Sequence, residues 1–267
     1  MQYNKFTSSD FAHIGHLQPD GWPDITGAFR FYTDSDFCHP VKVSVDNKII
    51  GIGCSIVFDT TAWLAHIIVD EKFRNQGVGS AITECLLDVN RSKGIGTILL
   101  IATPLGEPVY LKAGFRTVSE YHYFKREAPP AGKKQSPKVQ PYTKDLYPEI
   151  IKLDALVTGE QRVHLLQPYL DQSFVFIDGG TVCGFYIPDL EEGPICAKTI
   201  EAGRTLMKFK YSRVEKAAIA AENLAGINCL HELGFVRMET KGKRMILGKD
   251  IAWKPEMIYS RTGGNFG

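Results

Sequence analysis

The sequence predicts a mixed α/β (α+β) fold, in which a central mixed, mostly antiparallel sheet is flanked by helices and is followed by a second domain of the same kind. Three observations carry this prediction. An apolar strand at residues 63–69 runs through a glycine-bearing loop straight into a helix. A pair of strands joined by Asp46-Asn47, a hairpin turn, precedes it. The second half of the chain repeats the outline of the first at a spacing of about 120 residues.

The other elements of the first half are apolar runs bounded by turn residues. A short helix is predicted to end at Gly114, because a glycine there can take the left-handed conformation that closes helices. In chain order we expect a helix near residues 20–33, strands at 41–45 and 49–58, the strand at 63–69, a helix from residue 80, a strand at 95–102, the helix ending at Gly114 and the last strands at 115–125.

The loop between residues 69 and 80 has the composition of an anion site. Gly77 and Gly79 lack a Cβ atom, so a ligand can approach the backbone closely. The unpaired N–H groups at the start of the following helix carry partial positive charge, which favours phosphate. No Lys-Ser/Thr pair follows Gly79, which disfavours a nucleoside-triphosphate site, and Ile82 occupies the position of the third glycine in a dinucleotide site.

Two segments of the first half match one known family. Residues 74–79 read Arg-Asn-Gln-Gly-Val-Gly, and residues 110–115 read Tyr-Leu-Lys-Ala-Gly-Phe. The chain resembles the GNAT superfamily of acyl-CoA N-acyltransferases, whose signature is Arg/Gln-x-x-Gly-x-Gly/Ala between a strand and a helix. That family also carries a Tyr-x-Lys-x-Gly-Phe segment near the end of its domain. The second half is similar to the C-terminal domain of bacterial tandem GNAT proteins.

The resemblance implies an N-acetyltransferase that uses acetyl-CoA (coenzyme A) as acyl donor and needs no metal. It would transfer the acetyl group to a primary amine of a small molecule by direct attack on the thioester. The pantetheine amides would pair with the strand that ends at Val69, and the pyrophosphate would lie on the glycine loop. Arg74 would attract the anion, with a solvated surface arginine as the alternative. The residues assigned to cofactor binding are Ile67, Ile68, Val69, Arg74, Asn75, Gln76, Gly77, Val78, Gly79 and Ser80.

Tyr110 and His66 are the candidate catalytic residues. Tyr110 would donate a proton to the departing thiolate, since a phenol of pKa about 10 can protonate a thiolate whose thiol has a pKa of about 8.5. His66 would take the proton of the amine, directly or through water, because its ordinary pKa of about 6.5 suits a base. Asp59, Glu107 and water are alternatives for the base. A packing role for Tyr110 and a hydrogen-bonded core role for His66 also stay open.

The first half departs from the family pattern near Tyr110. Thr103 occupies a position where many members carry Asn, and Glu107 one where they carry Ala. Pro104 and Pro108 are expected to interrupt the helix of Tyr110. These departures leave open a non-catalytic acyl-CoA-binding or sensing module. A protein or peptide N-acetyltransferase is a further alternative.

The predicted domains are residues 1–127 and 141–267, separated by a linker at 128–140 that has no apolar periodicity. The glycine loop has no counterpart in the second domain, since residues 198–204 contain one glycine and an acidic side chain. Leu230 takes the position of Tyr110 and has no proton to give. We therefore expect a degenerate second domain with structural and acceptor-side roles.

Residues 154–162 resemble an Asp-x-x-x-x-Gly-x-x-Arg stretch of the tandem proteins. On this resemblance Asp154 and Arg162 are assigned to acceptor binding, in a pocket between the domains, where Arg162 could clamp a carboxylate or phosphate. A structural ion pair, or a feature of a helix N-terminus, is the alternative.

The overall charge disfavours nucleic acid and anionic membranes as partners, because 31 basic and 30 acidic residues leave a formal net charge of +1. No apolar run approaches the roughly 20 residues of a membrane span, so we expect a cytoplasmic protein. The six cysteines lack metal or redox spacing, which predicts reduced thiols and no metal site. The expected partner is the small-molecule amine, and a homodimer is left open. Residues 262–267 are expected to form a frayed end.

Overall fold

The computed structural model describes residues 1–128 and 136–267. Most of the predicted linker therefore lies outside the described residues, and its last part belongs to a strand, Val139–Pro141. The described residues divide into two compact units, and the domain boundaries expected at residues 127 and 141 stay predictions. The first unit contains Met1–Thr117, Met245–Asp250 and Phe266, and the second contains Val118–Arg244, Ile251–Asn265 and Gly267.

The first unit is built on a mixed sheet. Its elements in chain order are β1 (Gln2–Lys5), α1 (Ile25–Asp34), β2 (Cys38–Val45), β3 (Lys48–Phe58), β4 (Thr61–Val69), α2 (Val78–Ser92), β5 (Thr97–Ala102) and α3 (Glu107–Lys112). The strand order is β1-β2-β3-β4-β5, with residues 245–248 next to β5. β1 to β4 pair antiparallel and β4 pairs with β5 in parallel. The predicted mixed α/β class, mostly antiparallel, is confirmed.

The second unit contains the remaining elements. These are β6 (Arg116–Lys125, from residue 118), β7 (Val139–Pro141), α4 (Tyr147–Thr158), α5 (Val163–Leu166), β8 (Phe174–Asp178), β9 (Thr181–Tyr186), β10 (Ile195–Ala197), α6 (Ile200–Lys210), β11 (Lys216–Ala220), α7 (Leu224–Glu232), β12 (Val236–Gly248, to residue 244) and β13 (Ile258–Ser260). β12, β6 and β11 are neighbours in one sheet, and a second sheet has the order β13-β10-β9-β8-β7.

Local sequence explains the elements that position the site. Asp46 and Asn47 both take positive φ, 49° and 63°, which closes β2 and β3 as the predicted hairpin. Helix α2 turns an apolar face, including Ile82 and Leu86, into a core shared with β2, β3 and β4. Gly51 leaves room for this packing, since a Cβ atom there would lie 2.7 Å from Ile82 Cδ1. Sheet and helix are therefore held in close contact below the glycine loop.

Two expectations about the chain course are wrong. Pro108 does not interrupt the helix of Tyr110 but lies in the first turn of α3, where no intrahelical N–H bond is lost. The C-terminal residues are not frayed: Phe266 is 1% exposed and its ring packs against Phe31 and Phe58 within the first unit. The Thr262 N–H also donates to the Gly267 carbonyl oxygen. Apolar burial and this hydrogen bond order the tail.

Candidate functional site

The parallel ladder between β4 and β5 is short. Residues 61–63 pair with residues 97–99, and the pairing stops there. β4 continues to Val69 with its other edge on β3. Beyond residue 63 no described strand pairs with β4 on its β5 side, and an unpaired edge of this kind is the condition for strand addition by an extended ligand with amide groups. The predicted pantetheine contacts Ile67, Ile68 and Val69 lie on this part of β4.

A β-bulge interrupts β4 at His66. Ile52 of β3 pairs with Ile68, whereas Cys54 pairs with Ala65, so Gly53 lies opposite His66 and Ile67 together. His66 has a φ of 47°, in the left-handed region. A Cβ atom on Gly53 would come within 2.9 Å of Ile82 Cγ2. The absence of a side chain at Gly53 thus allows the sheet to pack closely against helix α2 at the bulge.

The start of α2 is a cluster of free main-chain donors. Gly77, with a φ of 83°, is the N-cap, and no side chain caps the helix. Among the residues that the structure describes, no group accepts a hydrogen bond from the N–H groups of residues 76–80. No acidic side chain lies in the first turn. We call this cluster of N–H groups the anion cradle, because such donors and the helix dipole favour an anion. The assignment of these loop residues to the cofactor stays a prediction.

The two glycines leave space on different sides of the cradle. A Cβ atom on Gly77 would meet nothing within 4 Å, so this face is open. A Cβ atom on Gly79 would lie 3.8 Å from Val69 and 3.9 Å from Val109. Gly79 therefore marks the place where β4, α2 and α3 converge, and this brings the helix of Tyr110 to the glycine loop.

The side chains of the loop are engaged with the loop itself. Arg74 donates from Nε to the Val69 carbonyl oxygen at 3.3 Å and from Nη1 to Glu71 at 2.9 Å. Gln76 donates to the Lys72 carbonyl oxygen. Because the Arg74 side chain is 36% exposed, its pair with Glu71 is weak and can exchange for an anionic ligand. The steering role of Arg74 stays a prediction.

Tyr110 lies in α3 with its ring buried. The residue is 9% exposed, and its ring packs edge-on against Phe115 at a centroid distance of 6.0 Å. Gly106 fits beneath the ring, since a Cβ atom there would lie 2.9 Å from it. Burial raises the pKa of Tyr110 to about 12. A neutral phenol is therefore maintained at physiological pH, as a proton donor requires.

His66 lies among aromatic rings. Its Nδ1 is 2.7 Å from the Tyr32 hydroxyl, and the rings of Trp22 and Phe29 contact it edge-on at centroid distances of 5.8 and 6.3 Å. Burial lowers the pKa of His66 to about 4. The imidazole is thus neutral at physiological pH and a weaker base than expected. Its base role stays a prediction.

The alternative bases differ in their positions. Asp59 lies in the turn before β4, which places it on the order of 20 Å along the strand from His66. Glu107 precedes Tyr110 by three positions on α3, so the two share a helix face. Thr103, at the position of the family Asn, accepts a hydrogen bond from the Gly106 N–H and so closes the turn before α3.

Sequence reasoning missed Tyr32, Gly53 and Gly106. Tyr32 is fully buried and contacts His66 across 34 positions of the chain. The spacing of Phe29 and Tyr32 on one face of α1 was visible in the sequence, but no pattern connected that face with β4. The bulge that makes Gly53 necessary also depends on register, which a single sequence does not give.

Asp154 and Arg162 contact each other within the second unit. Arg162 donates from Nε to Asp154 Oδ2 at 3.1 Å and from Nη2 to Oδ1 at 2.7 Å, and Nη1 donates to Thr262 Oγ1. Both acidic and basic side chains are 2% exposed. These contacts support the structural ion pair. The acceptor-binding assignment of Asp154 and Arg162 stays a prediction.

Helix α6 of the second unit has no counterpart of the anion cradle at its start. Helix α6 begins after Thr199, whose side chain accepts a hydrogen bond from the Ala202 N–H. Glu201 lies in the first turn, where it repels an anion. Gly203 is covered by the ring of Tyr259, and Leu230 is fully buried. These contacts agree with a degenerate second half.

Neither a metal-binding cluster nor a membrane-spanning helix occurs in the described ranges. No group of three or more His, Cys, Asp or Glu side chains there is arranged to hold a metal ion. No helix within residues 1–128 or 136–267 combines the length and apolar character needed to cross a bilayer. The six cysteines are free thiols, four of them buried.

Part of the chain matches a known family model. Residues 7–115 match the model of the acetyltransferase (GNAT) family. This range contains the glycine loop, His66 and Tyr110. No curated protein matches the chain.

Solved structures share the fold over nearly the whole length. A proposed acetyltransferase from Pyrococcus horikoshii matches with a TM-score of 0.83 and 18% identity, over 100% of this chain and 95% of that one. A GCN5-related N-acetyltransferase from Sphaerobacter thermophilus gives a TM-score of 0.67 at 11% identity, over 95% and 98% of the two chains. A tandem GNAT protein from the clavulanic acid biosynthesis pathway gives 0.56 at 11% identity, over 92% and 98%. The tandem GNAT fold is thus confirmed.

Proposed function

We propose that this protein is an acetyl-CoA-dependent N-acetyltransferase, because residues 7–115 match the model of the acetyltransferase (GNAT) family and the chain has a tandem GNAT fold. Its acceptor is the primary amine of a small molecule, and both substrates are bound before the acetyl group moves. The protein works without a metal ion.

One observation carries the proposal. The N–H groups of residues 76–80 lack partners within the described chain, and they lie at the end of a strand whose β5 side is open beyond residue 63. A helix start of this kind binds phosphate, and an open strand edge binds amides. Coenzyme A carries a pyrophosphate followed by a chain with two amides, so the two features suit the two parts of one ligand.

Acetyl-CoA supplies the acetyl group as an activated thioester. Gly77 leaves the open side of the cradle free for the pyrophosphate, and Arg74 adds a positive charge that can leave Glu71 for the ligand. Ile67, Ile68 and Val69 offer main-chain groups to the pantetheine amides. These contacts would hold the thioester beside β4 and fix its orientation for attack.

Tyr110 supplies the proton to the departing sulfur. With its pKa at about 12, transfer to a thiolate of pKa about 8.5 is uphill by about 5 kcal/mol on aqueous values. A thiolate held in similarly apolar surroundings would also be destabilised, so the pKa of its thiol would rise and the difference between the two pKa values would become smaller. The amine loses its proton to water or to Glu107, which shares a helix face with Tyr110; His66 as the base is the third option.

A non-catalytic acyl-CoA-binding or sensing module is the second candidate. The lowered pKa of His66 favours it, because this shift weakens the imidazole as a base. A protein or peptide N-acetyltransferase remains an alternative for the acceptor. A homodimer is compatible with each of these functions.

The deciding experiment is an acetyl-transfer assay. Release of free thiol from acetyl-CoA is measured with a panel of small amines and with peptides that carry a free amino terminus. We expect turnover with a small amine, and we expect Tyr110→Phe to lower kcat by about 100-fold, the contribution of a general acid. Coenzyme A affinity, measured by calorimetry, should be unchanged in Tyr110→Phe, and Tyr3→Phe, an exposed tyrosine, is the control.

Each other outcome points to one alternative. Binding of coenzyme A without thiol release from any acceptor would support the sensing module. Turnover confined to peptides would support protein acetylation. Absence of coenzyme A binding would refute the proposal, because the cradle on which it rests would then have a different ligand.

A further inference from the structure

The two nitrogens of the His66 imidazole have different environments. Nδ1 lies 2.7 Å from the Tyr32 hydroxyl oxygen. Nε2 has no hydrogen-bond partner among the described residues. It is also not one of the fully buried polar atoms that lack a hydrogen-bond partner, so this nitrogen is not completely enclosed. His66 is half-buried. One nitrogen is therefore engaged by the protein, whereas the other is not fully enclosed and keeps its hydrogen-bonding capacity for a ligand.

The chemistry of the two partners sets the direction of the Tyr32–His66 hydrogen bond. A neutral imidazole has one N–H donor and one lone pair, and a phenol has one O–H donor. The imidazole lone pair accepts protons near pH 6.5, whereas a phenol gives its proton up near pH 10. The favourable bond therefore runs from the Tyr32 O–H to the Nδ1 lone pair. In that arrangement the single proton of the ring is on Nε2.

We infer that His66 presents an Nε2–H donor, not a basic lone pair, to the ligand beside β4, and that Tyr32 is the positioning residue that fixes this tautomer. A nitrogen that already carries a proton cannot take one from the amine. It can donate a hydrogen bond to an oxygen of the ligand, and a carbonyl oxygen is the acceptor class that suits it. That a ligand lies there rests on the proposed function, whereas the tautomer does not.

The surroundings hold this arrangement in place. Tyr32 and Phe29 are fully buried, so the hydroxyl has little freedom to move away from Nδ1. The bulge gives His66 a left-handed backbone, which turns its side chain differently from those of its strand neighbours. Burial also holds the ring neutral, because it lowers the pKa of His66 to about 4. A neutral imidazole that polarises an oxygen by hydrogen bonding is an established use of histidine in enzymes.

The tautomer can be observed directly by nuclear magnetic resonance. In the native full-length chain, the long-range ¹H–¹⁵N spectrum of His66 should show an unprotonated Nδ1 and a protonated Nε2 at neutral pH. Tyr32→Phe keeps the ring and removes the hydroxyl, and it should convert this signature to a mixture of tautomers. His66→Gln assigns the signals, and Tyr3→Phe is the control. A native spectrum with the proton on Nδ1 would overturn the inference, whether or not the protein is an enzyme.

Two substitutions of His66 test whether its Nε2–H group contributes a hydrogen bond to the reaction. His66→Gln keeps an N–H donor near the position of Nε2, while His66→Met has a similar length and no donor, and neither can act as a base. Both meet the same backbone at residue 66. In the thiol-release assay we expect kcat/KM of His66→Gln to exceed that of His66→Met by about tenfold, the value of one hydrogen bond.

A different result in this assay would identify His66 as the base. If His66→Gln falls to the level of His66→Met, and the acidic limb of the native pH–rate profile disappears in both, His66 takes the proton and the inference is wrong. If the native chain shows no turnover, the proposed function fails. The spectrum of the native chain and of Tyr32→Phe then decides the inference by itself.

Discussion

Within β4, the strained backbone position is His66, which is also the residue that the aromatic rings of α1 surround. A non-glycine residue with a φ of 47° costs on the order of 1 kcal/mol, and burial of an imidazole adds a penalty whenever the ring is charged. Neither the positive φ nor the burial of the imidazole is needed for β4 to pair with its neighbouring strands. Strain of this kind persists where surrounding packing enforces it, and it is concentrated at functional sites.

The His66 imidazole should make stability depend on pH. The pKa of His66 is about 4 in the folded chain and about 6.5 when unfolded. Between these values the unfolded chain binds a proton that the folded chain does not, so acidification favours unfolding. The contribution is complete above pH 6.5 and is lost as the pH falls through about 4, with a maximum of about 3 kcal/mol.

Urea unfolding between about pH 7.5 and pH 4.5 measures this dependence. The native chain should lose more stability over that range than His66→Gln, which has no titrating group at the position. His13→Gln, at an exposed histidine, should behave like the native chain. Parallel losses in the native chain and in His66→Gln would show that His66 is not the group responsible.

The residue scale also shows what one sequence can give. The sequence singles out His66 because it is a polar residue in an apolar strand next to the glycine loop, and Tyr110 because it lies in a family motif; both roles stay predictions. Tyr32 gave no such signal, since its role depends on a contact across 34 positions and on the bulge in β4. Residue types near a motif are predictable, but hydrogen bonds between distant elements are not.

At the scale of elements, α2 has chemically different ends. Its N-terminus presents unpartnered N–H groups after Gly77, while its C-terminus is closed by hydrogen bonds from the N–H groups of Lys93 and Gly94 to the last carbonyl oxygens. Gly77 and Gly94 both have positive φ, 83° and 71°, and both would place a Cβ atom in open space. Substitutions at the two glycines therefore cause the same backbone strain, and only the substitution at Gly77 also lies next to the predicted ligand site.

Gly77→Ala should weaken coenzyme A binding by about tenfold or more, because a methyl group on the open face of the cradle obstructs close approach to the N–H donors. Gly94→Ala carries the same left-handed penalty of about 1 kcal/mol, without any ligand nearby. Calorimetry with coenzyme A and urea unfolding measure the two effects. Equal affinities in both variants would mean that the ligand does not approach Gly77.

Elements were predicted well where local chemistry determines them. The hairpin at Asp46-Asn47 and the strand-loop-helix at 61–92 follow from turn residues and apolar periodicity. The expected break at Pro108 failed because a proline in the first turn of a helix costs nothing. The pairing of β4 with β5 over only residues 61–63 has no local signal, since it depends on where two distant strands diverge.

At the scale of the whole molecule, the first unit is completed by residues from the end of the chain. Met245–Asp250 and Phe266 belong to it, although all of its other residues precede residue 118. Met245 is fully buried in the same core as Ile82 and Leu86. The predicted domain of residues 1–127 does not include these segments, because apolar periodicity indicates that a strand is buried but not which core buries it.

Phe266 packs the C-terminal end of the chain into the first unit. Its ring is 1% exposed and lies against Phe31 and Phe58, with centroid distances of 6.1 and 6.4 Å. Phe266→Ala should lower the free energy of unfolding by about 3 kcal/mol or more, the usual loss for a buried phenylalanine that leaves a cavity. Tyr3→Ala, at an aromatic residue that is 44% exposed, should change it by about 0.5 kcal/mol or less. Urea unfolding measures both, and equal midpoints for Phe266→Ala and the native chain would show that the tail contributes nothing to the first unit.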